Sequence, residues 1–183
     1  EQSVVNGVDV SELEGAIEAV SEDPDHGAFT FRATTEWEDA LRAATTIQEF
    51  DQEGETVHTR SFTIEGDEPE RILGDGTAPN AVQTLLGALG SCLTVGYAAN
   101  AAAMGIELDS LRFEMEGDVD LRGFLGISDD VRAGYDSVTC TAYIDADASE
   151  AELTELRERV EATSPLMDNI ANEVRLETDL VAS

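Results

Sequence analysis

The stretch Leu-Gly-Ala-Leu-Gly-Ser-Cys-Leu, residues 86–93, lies at the centre of a long uncharged segment. No residue between Asp75 and Glu107 carries a formal charge, although the rest of the chain is strongly acidic. The Gly, Ala and Ser residues of this stretch leave room for another backbone to approach closely. We therefore expect a buried core helix over residues 81–104 that ends at Gly105.

The composition is that of an acidic globular protein. Forty acids oppose ten bases in 183 residues, every base is Arg, and the net charge is −30. In dilute buffer the many acidic side chains repel one another and destabilise the compact state. Molar salt shortens the screening length to ~3 Å and so weakens this repulsion. We therefore expect a cytoplasmic protein of a salt-accumulating halophile. The charge also excludes nucleic acid and anionic membranes as expected partners, because both require clustered Lys and Arg.

The uncharged segment raises the question of a membrane span. It contains several polar residues, including Gln83, Thr94 and Asn100, and much Ala and Gly, which favours a core helix. The N-terminal sequence has no basic region followed by an apolar core, so no signal peptide is predicted.

The pattern along the chain predicts one α+β domain over residues 1–183. Its predicted parts are an N-terminal helical extension (8–24), a strand meander (28–64), the central helix (81–104) and C-terminal strands and helices (107–182).

Alternation and capping signals define these parts. Ser11 is the expected N-cap of the first helix, and residues 29–37 alternate as a strand. Later, alternation through residues 111–121 and 135–146 predicts two more strands. Residues 149–152 form a capping box, and residues 174–180 are expected to close the fold as a strand.

Cys92, on the central helix, has two interpretations. The thiolate is the reactive form of cysteine, and apolar surroundings disfavour it, so a reactive Cys92 needs a nearby cation. Alternatively, Cys92 is a small buried residue at a tight helix crossing. Cys140 shares a strand face with Val138 and Ile144, which favours a core position.

Several segments together resemble the OsmC/Ohr family: Asp67-Glu68-Pro69, residues 78–93, Gly105-Ile106 and Ser164-Pro165. The resemblance extends from about residue 29 to residue 180. Residues 117–126 look like an OsmC-like branch of the family. The resemblance implies an intertwined homodimer in which two long central helices are wrapped by antiparallel sheets, with active sites at the subunit interface.

In the family's peroxidases a helix cysteine attacks an organic hydroperoxide, a second cysteine resolves the sulfenic acid, and an Arg–Glu pair holds the thiolate. Here Cys92 matches the attacking position, and Ser164 stands where the resolving cysteine would be. The glutamate would fall at Val82, beside Gln83, and is missing. Arg42 is the nearest candidate for the arginine.

Ser164 also suits a structural role, as an N-cap followed by Pro at the first helical position. A hydrogen bond from its hydroxyl to Cys92 is the alternative use of this side chain.

Two hypotheses follow from the resemblance. The first is a one-cysteine reductase of organic hydroperoxides in oxidative stress defence, with Cys92 as nucleophile, Arg42 as activator, and an external thiol as reductant. The second is a non-catalytic dimer that binds a small hydrophobic ligand in an interface pocket of Leu89, Cys92, Tyr97 and Phe124, with Gln83 as a further binding candidate.

No cofactor or metal is expected. His26 and His58 are the only histidines, and neither has a second His or Cys at ligand spacing.

Overall fold

The computed structural model describes residues 4–182. Residues 1–3 and 183, which the predicted domain includes, lie outside the described residues. The chain divides into two compact units, the first containing residues 9–86 with Val4 and the second containing residues 5–8 and 87–182. A single domain over residues 1–183 stays a prediction.

The elements before residue 80 are mostly strands. In chain order they are β1 (Val4–Val5), β2 (Val8–Asp9), α1 (Val10–Glu22), β3 (Phe29–Phe31), β4 (Thr34–Asp39), β5 (Arg42–Gln52) and β6 (Glu55–Gly66). Strands β3, β4 and β6 all pair antiparallel with β5, so β5 is the centre of the predicted meander.

Helices and a strand pair follow. They are α2 (Ala81–Ala103), β7 (Leu108–Asp118), α3 (Leu121–Phe124), β8 (Ser137–Ala146), α4 (Glu150–Thr163) and α5 (Pro165–Ala171). Helices combined with antiparallel sheets confirm the predicted α+β class.

The first helix begins earlier than predicted. Its N-cap is Asp9, whose Oδ1 accepts hydrogen bonds from the backbone N–H groups of Ser11 and Glu12. The Ser11 hydroxyl donates to the same oxygen. The prediction of Ser11 as the N-cap is wrong, because the Asp9 carboxylate two residues earlier already accepts from the free N–H groups of the first turn.

The first predicted strand, residues 29–37, is two strands. Phe31 pairs with Phe50, and Thr34 pairs with Thr46. Phe31 and Thr34 are three positions apart, whereas their partners on β5, Phe50 and Thr46, are four positions apart. This difference of one residue interrupts the pairing with β5 between the end of β3 and the start of β4.

Helix α2 begins with a reciprocal cap. The Asn80 Oδ1 accepts from the Gln83 N–H, and the Gln83 Oε1 accepts from the Asn80 N–H, both at 3.0 Å. This arrangement satisfies two backbone donors that a helix start leaves free. The helix spans 23 residues, close to the predicted 81–104.

One stripe of α2 is buried in the second unit, at a spacing of four residues: Leu89, Leu93, Tyr97 and Ala101. The opposite side is open, and Val95 is 67% exposed. By length and composition alone α2 also qualifies as a membrane span. That is weak support for a span, because core helices of soluble proteins meet the same criterion.

Strands β7 and β8 form an antiparallel pair from Leu108–Ala146 to Asp118–Ser137. Along β7 the half-buried residues Leu111, Phe113 and Met115 alternate with exposed charged ones, as the sequence predicts. The strand ends sooner than predicted. Asp120 caps the short helix α3, and Leu121 belongs to that helix rather than to the strand.

Helix α4 has the predicted capping box between Ser149 and Glu152. It buries Leu156 and Val160 completely against α2. Gly96 of α2 permits this contact, because a Cβ atom there would lie 2.9 Å from the Val160 Cγ1.

The predicted closing strand over residues 174–180 is wrong for the described chain. Residues 173–182 form neither helix nor strand, and Leu176 and Leu180 are almost fully exposed. Alternation indicates an extended segment, but a strand also needs a neighbour to bond its backbone. Within residues 4–182 this segment has none.

Candidate functional site

Cys92 lies half-buried on α2, beside the buried stripe. Its Sγ is 3.4 Å from the Oγ of Ser164, which is 72 positions later in the chain. This distance is within hydrogen-bonding range for sulfur, so the fold brings together two of the predicted site residues.

Ser164 is one of two buried polar side chains in the described residues, with 6% of its surface exposed. It is the N-cap of α5, and its Oγ accepts from the Met167 N–H at 3.3 Å. Because the oxygen accepts from Met167, its own O–H remains available to donate to sulfur. A thiolate only accepts hydrogen bonds, so Ser164 would be the donor once Cys92 is ionised.

Most arginines of the second unit are already paired. Five of its six form ion pairs with acids two to four positions away: Arg112 with Glu114, Arg122 with Asp120, Arg157 with Glu161, Arg159 with Glu155, and Arg175 with Glu177. These guanidinium groups are each engaged by a neighbouring carboxylate.

Arg42 belongs to the first unit. A turn at Ala40 and Leu41 makes it the first residue of β5. Its Nη2 lies 3.6 Å from the Asp39 Oδ2, while its Nε is buried and has no hydrogen-bond partner among residues 4–182. A buried donor without a partner is rare in proteins, and it leaves this guanidinium with unused capacity to bind an anion.

The predicted binding residues are dispersed. Leu89 and Tyr97 lie in the core of the second unit, and the Tyr97 ring contacts Phe113 edge-on at 5.2 Å. Phe124, on α3, is 69% exposed and is not part of that core. Gln83 belongs to the first unit, where its side chain caps α2.

Cys140 is not the core residue that the sequence predicts. It is exposed on β8 and lines a cavity. Its thiol is nevertheless partly buried, and this desolvation, followed by the nearby Glu161 charge, raises the pKa of Cys140. The strand alternation placed it on the correct face, but that face is covered only in part.

Sequence reasoning missed the role of Asp67. This carboxylate is 3% exposed and accepts hydrogen bonds from the Glu68, Asp75 and Thr77 N–H groups and from the Thr77 hydroxyl. The Thr77 bonds are the main reason why the pKa of Asp67 falls to about 2. The sequence signals are its place in the Asp67-Glu68-Pro69 segment that carries the family resemblance and at the start of a loop rich in Gly and Pro.

Among residues 4–182, no group of three or more His, Cys, Asp or Glu side chains is arranged to hold a metal ion.

The sequence pattern of the OsmC-like protein family matches residues 74–179, more than half of the chain. The chain belongs to the OsmC-like family. No curated protein matches it significantly.

Three solved structures illustrate the shared fold. The OsmC-like protein of Mycoplasma pneumoniae is 17% identical, with a TM-score of 0.60 over 78% of this chain and 87% of that one. The organic hydroperoxide resistance protein OsmC of Legionella pneumophila is 16% identical, with a TM-score of 0.54 over 77% and 88%. An OsmC-like protein of unknown function from Vibrio cholerae is 11% identical, with a TM-score of 0.57 over 78% and 94%. At these identities the similarity establishes the OsmC-like fold.

Proposed function

We propose that this OsmC-like protein reduces organic hydroperoxides with a single reactive cysteine, Cys92. The observation that carries the proposal is the 3.4 Å contact between the Cys92 Sγ and the buried Ser164 hydroxyl. A thiol that serves only as packing has no need of a buried hydrogen-bond donor, whereas a thiolate or sulfenate is stabilised by one.

The Cys92 thiolate attacks the terminal oxygen of the hydroperoxide, the O–O bond breaks, and the alkoxide leaves and takes up a proton as the alcohol. Sulfur is oxidised to sulfenic acid. An external thiol then displaces water from that sulfur to form a mixed disulfide, and a second thiol releases Cys92 and leaves as the oxidised reductant.

Ser164 fits this cycle as a hydrogen-bond donor. It has no sulfur with which to resolve the sulfenic acid, so the cycle depends on external thiols. Arg42 is the proposed activating cation, and its partnerless buried Nε supports this role.

We further propose that the protein acts as a homodimer. The exposed side of α2 and the exposed apolar residues near the C-terminus are surfaces that a second copy would cover, with Val95, Leu176, Leu180 and Val181 the most prominent. A cytoplasmic location in a salt-accumulating cell, and a role in oxidative stress defence, belong to the same proposal. The net charge of −30 supports the salt requirement.

The test is consumption of cumene hydroperoxide with excess dithiothreitol in molar KCl. We expect Cys92→Ser to lower the rate by ~10³-fold or more, because the nucleophile is lost. The matched control is Cys140→Ser, which removes the other thiol and should leave the rate within about twofold. Equal rates for the parent and Cys92→Ser would refute the proposed reaction.

A further inference from the structure

A cavity of about 270 Å³ lies within the second unit, between α2, the β7–β8 pair, α4 and α5. Its lining is Leu93, Tyr97, Phe113, Cys140, Thr141, Ala142, Arg157, Glu161 and Met167. Neither Cys92 nor Ser164 contributes to it, so it is separate from the proposed reactive site. It is also different from the interface pocket that the sequence predicts, because it includes neither Leu89 nor Phe124.

The walls combine apolar side chains with polar ones, and they include the hydroxyl of a largely buried tyrosine. Tyr97 is 95% buried, since only 5% of its surface is exposed. Its hydroxyl has no hydrogen-bond partner among residues 4–182. The hydroxyl is not among the fully buried atoms that lack a partner, so it opens onto the cavity, where it can bond water or a ligand. A ligand that supplies a hydrogen-bonding atom there would replace that water.

The surroundings of Tyr97 indicate where its hydroxyl lies. Burial raises the pKa of Tyr97, the Glu161 charge raises it further, and the Arg157 charge opposes the increase. The hydroxyl is therefore near the α4 side of the cavity, where these two residues are found.

The charges in the cavity lining cancel. Arg157 and Glu161 are one turn apart on α4, and the Arg157 Nε lies 3.6 Å from the Glu161 Oε1. Each is about half exposed. The cavity therefore offers no net positive charge to an anion, and the whole chain is strongly negative. This favours an uncharged ligand.

We propose that this cavity binds a small uncharged molecule with an apolar body and one hydrogen-bonding oxygen, of the class of short-chain alcohols and phenols. The apolar part contacts Leu93, Phe113 and Met167, and the oxygen bonds to the Tyr97 hydroxyl. The volume is just below the roughly 300–1,000 Å³ of sites for drug-sized molecules, which limits the ligand to a smaller compound.

Cys140 provides the assay, because its thiol lies on the cavity wall. In Cys92→Ser it is the only cysteine, so alkylation by iodoacetamide reports on this cavity alone. The probes are 1-hexanol and hexanoate, which share an apolar chain and differ in charge. The reaction is run at mildly alkaline pH in molar KCl, because burial raises the pKa of Cys140.

We expect 1-hexanol to slow alkylation of Cys140 in a saturable manner and hexanoate to protect much less. In Tyr97→Phe the concentration of 1-hexanol that gives half protection should rise roughly fivefold, the loss of about one hydrogen bond. The matched control is Tyr143→Phe, because Tyr143 lies on β8 near Cys140 but donates its hydroxyl to Glu114 outside the cavity. That variant should behave like its parent.

Three results would overturn the proposal: no protection by 1-hexanol, equal protection by hexanoate, or an unaltered half-protection concentration in Tyr97→Phe. A Cys140 that resists alkylation without any probe would also overturn it, because a second copy of the chain would then cover the cavity. Since Cys92 is absent throughout, failure here is independent of the peroxidase proposal.

Discussion

Within residues 4–182 each unit contains one buried polar side chain, and these two side chains differ in what they bond. The Asp67 carboxylate, in the first unit, accepts hydrogen bonds only from its own loop, between Glu68 and Thr77. Ser164, in the second unit, caps α5 and also contacts the sulfur of Cys92 on another helix.

This difference separates a structural polar group from one for which we propose a chemical role. The Asp67 carboxylate accepts hydrogen bonds from four donors of one loop and so holds that loop together. Replacing Asp67 should therefore affect the stability of the fold. Ser164 needs only its oxygen lone pairs for the cap, and its hydroxyl proton is free for the thiol. Replacing Ser164 should therefore affect the chemistry of Cys92 more than the fold.

The largest effect is expected from Ser164→Cys, which places a second thiol beside Cys92. One equivalent of cumene hydroperoxide should convert the variant almost entirely to an intramolecular disulfide, because a neighbouring thiol condenses with a sulfenic acid. Mass spectrometry of the tryptic peptides identifies the bond. The same treatment of Thr163→Cys, one residue earlier and exposed on α4, is the control. Similar disulfide yields in the two variants would mean that the contact with position 164 is not specific.

A smaller effect is expected from Asp67→Asn, which places an amide where four donors point. The variant should unfold at a lower temperature than the parent in the same salt, while Glu70→Gln, an exposed change in the same loop, should not. Because the pKa of Asp67 is lowered to about 2, its stabilisation is complete above its unfolded pKa of about 3.9. It is lost as the pH falls through about 2.

The stability difference between the parent and Asp67→Asn should therefore shrink on acidification. Thermal unfolding followed by circular dichroism from about pH 5 to about pH 2 measures it. A difference that does not change over this range would show that Asp67 is not held as a carboxylate. Loss of peroxidase activity at unchanged stability would remove the contrast with Ser164.

The smallest effect is expected from Ser164→Ala. Removal of a hydrogen bond to a charged sulfur should slow hydroperoxide reduction by roughly tenfold. Loss of the cap should lower the free energy of unfolding by about 1 kcal/mol. Ser149→Ala removes the cap of α4 and serves as the matched control, with a similar loss of stability and an unchanged rate. Equal rates for Ser164→Ala and the parent would assign Ser164 to capping alone.

The sequence predicts most elements because their signals are local. The uncharged segment, bounded by Asn80 and Gly105, corresponds to α2, and the Ser149–Glu152 capping box marks the start of α4. Errors arise where two local signals compete or where a signal depends on a partner. Asp9 displaces Ser11 as the cap, and residues 174–180 have an alternating pattern without a strand to pair with.

The site is less predictable than the fold. Cys92 and Ser164 could be singled out individually, but their contact depends on α4 packing against Gly96 of α2, which no local pattern encodes. The position of Cys140 at a cavity is equally hard to predict, because the cavity is formed by side chains that are distant from one another in the sequence. The bonds of Asp67 depend on how residues 67–77 fold back as a loop.

The central claim is that Cys92 is an activated thiol in the folded protein. The most direct measurement is the rate of its alkylation by iodoacetamide at neutral pH, followed by peptide mass spectrometry, in the folded protein in molar KCl and in the chain unfolded by guanidinium. We predict that Cys92 reacts faster when the protein is folded, whereas Cys140 reacts more slowly because its pKa is raised. A Cys92 that reacts only after unfolding would contradict the account.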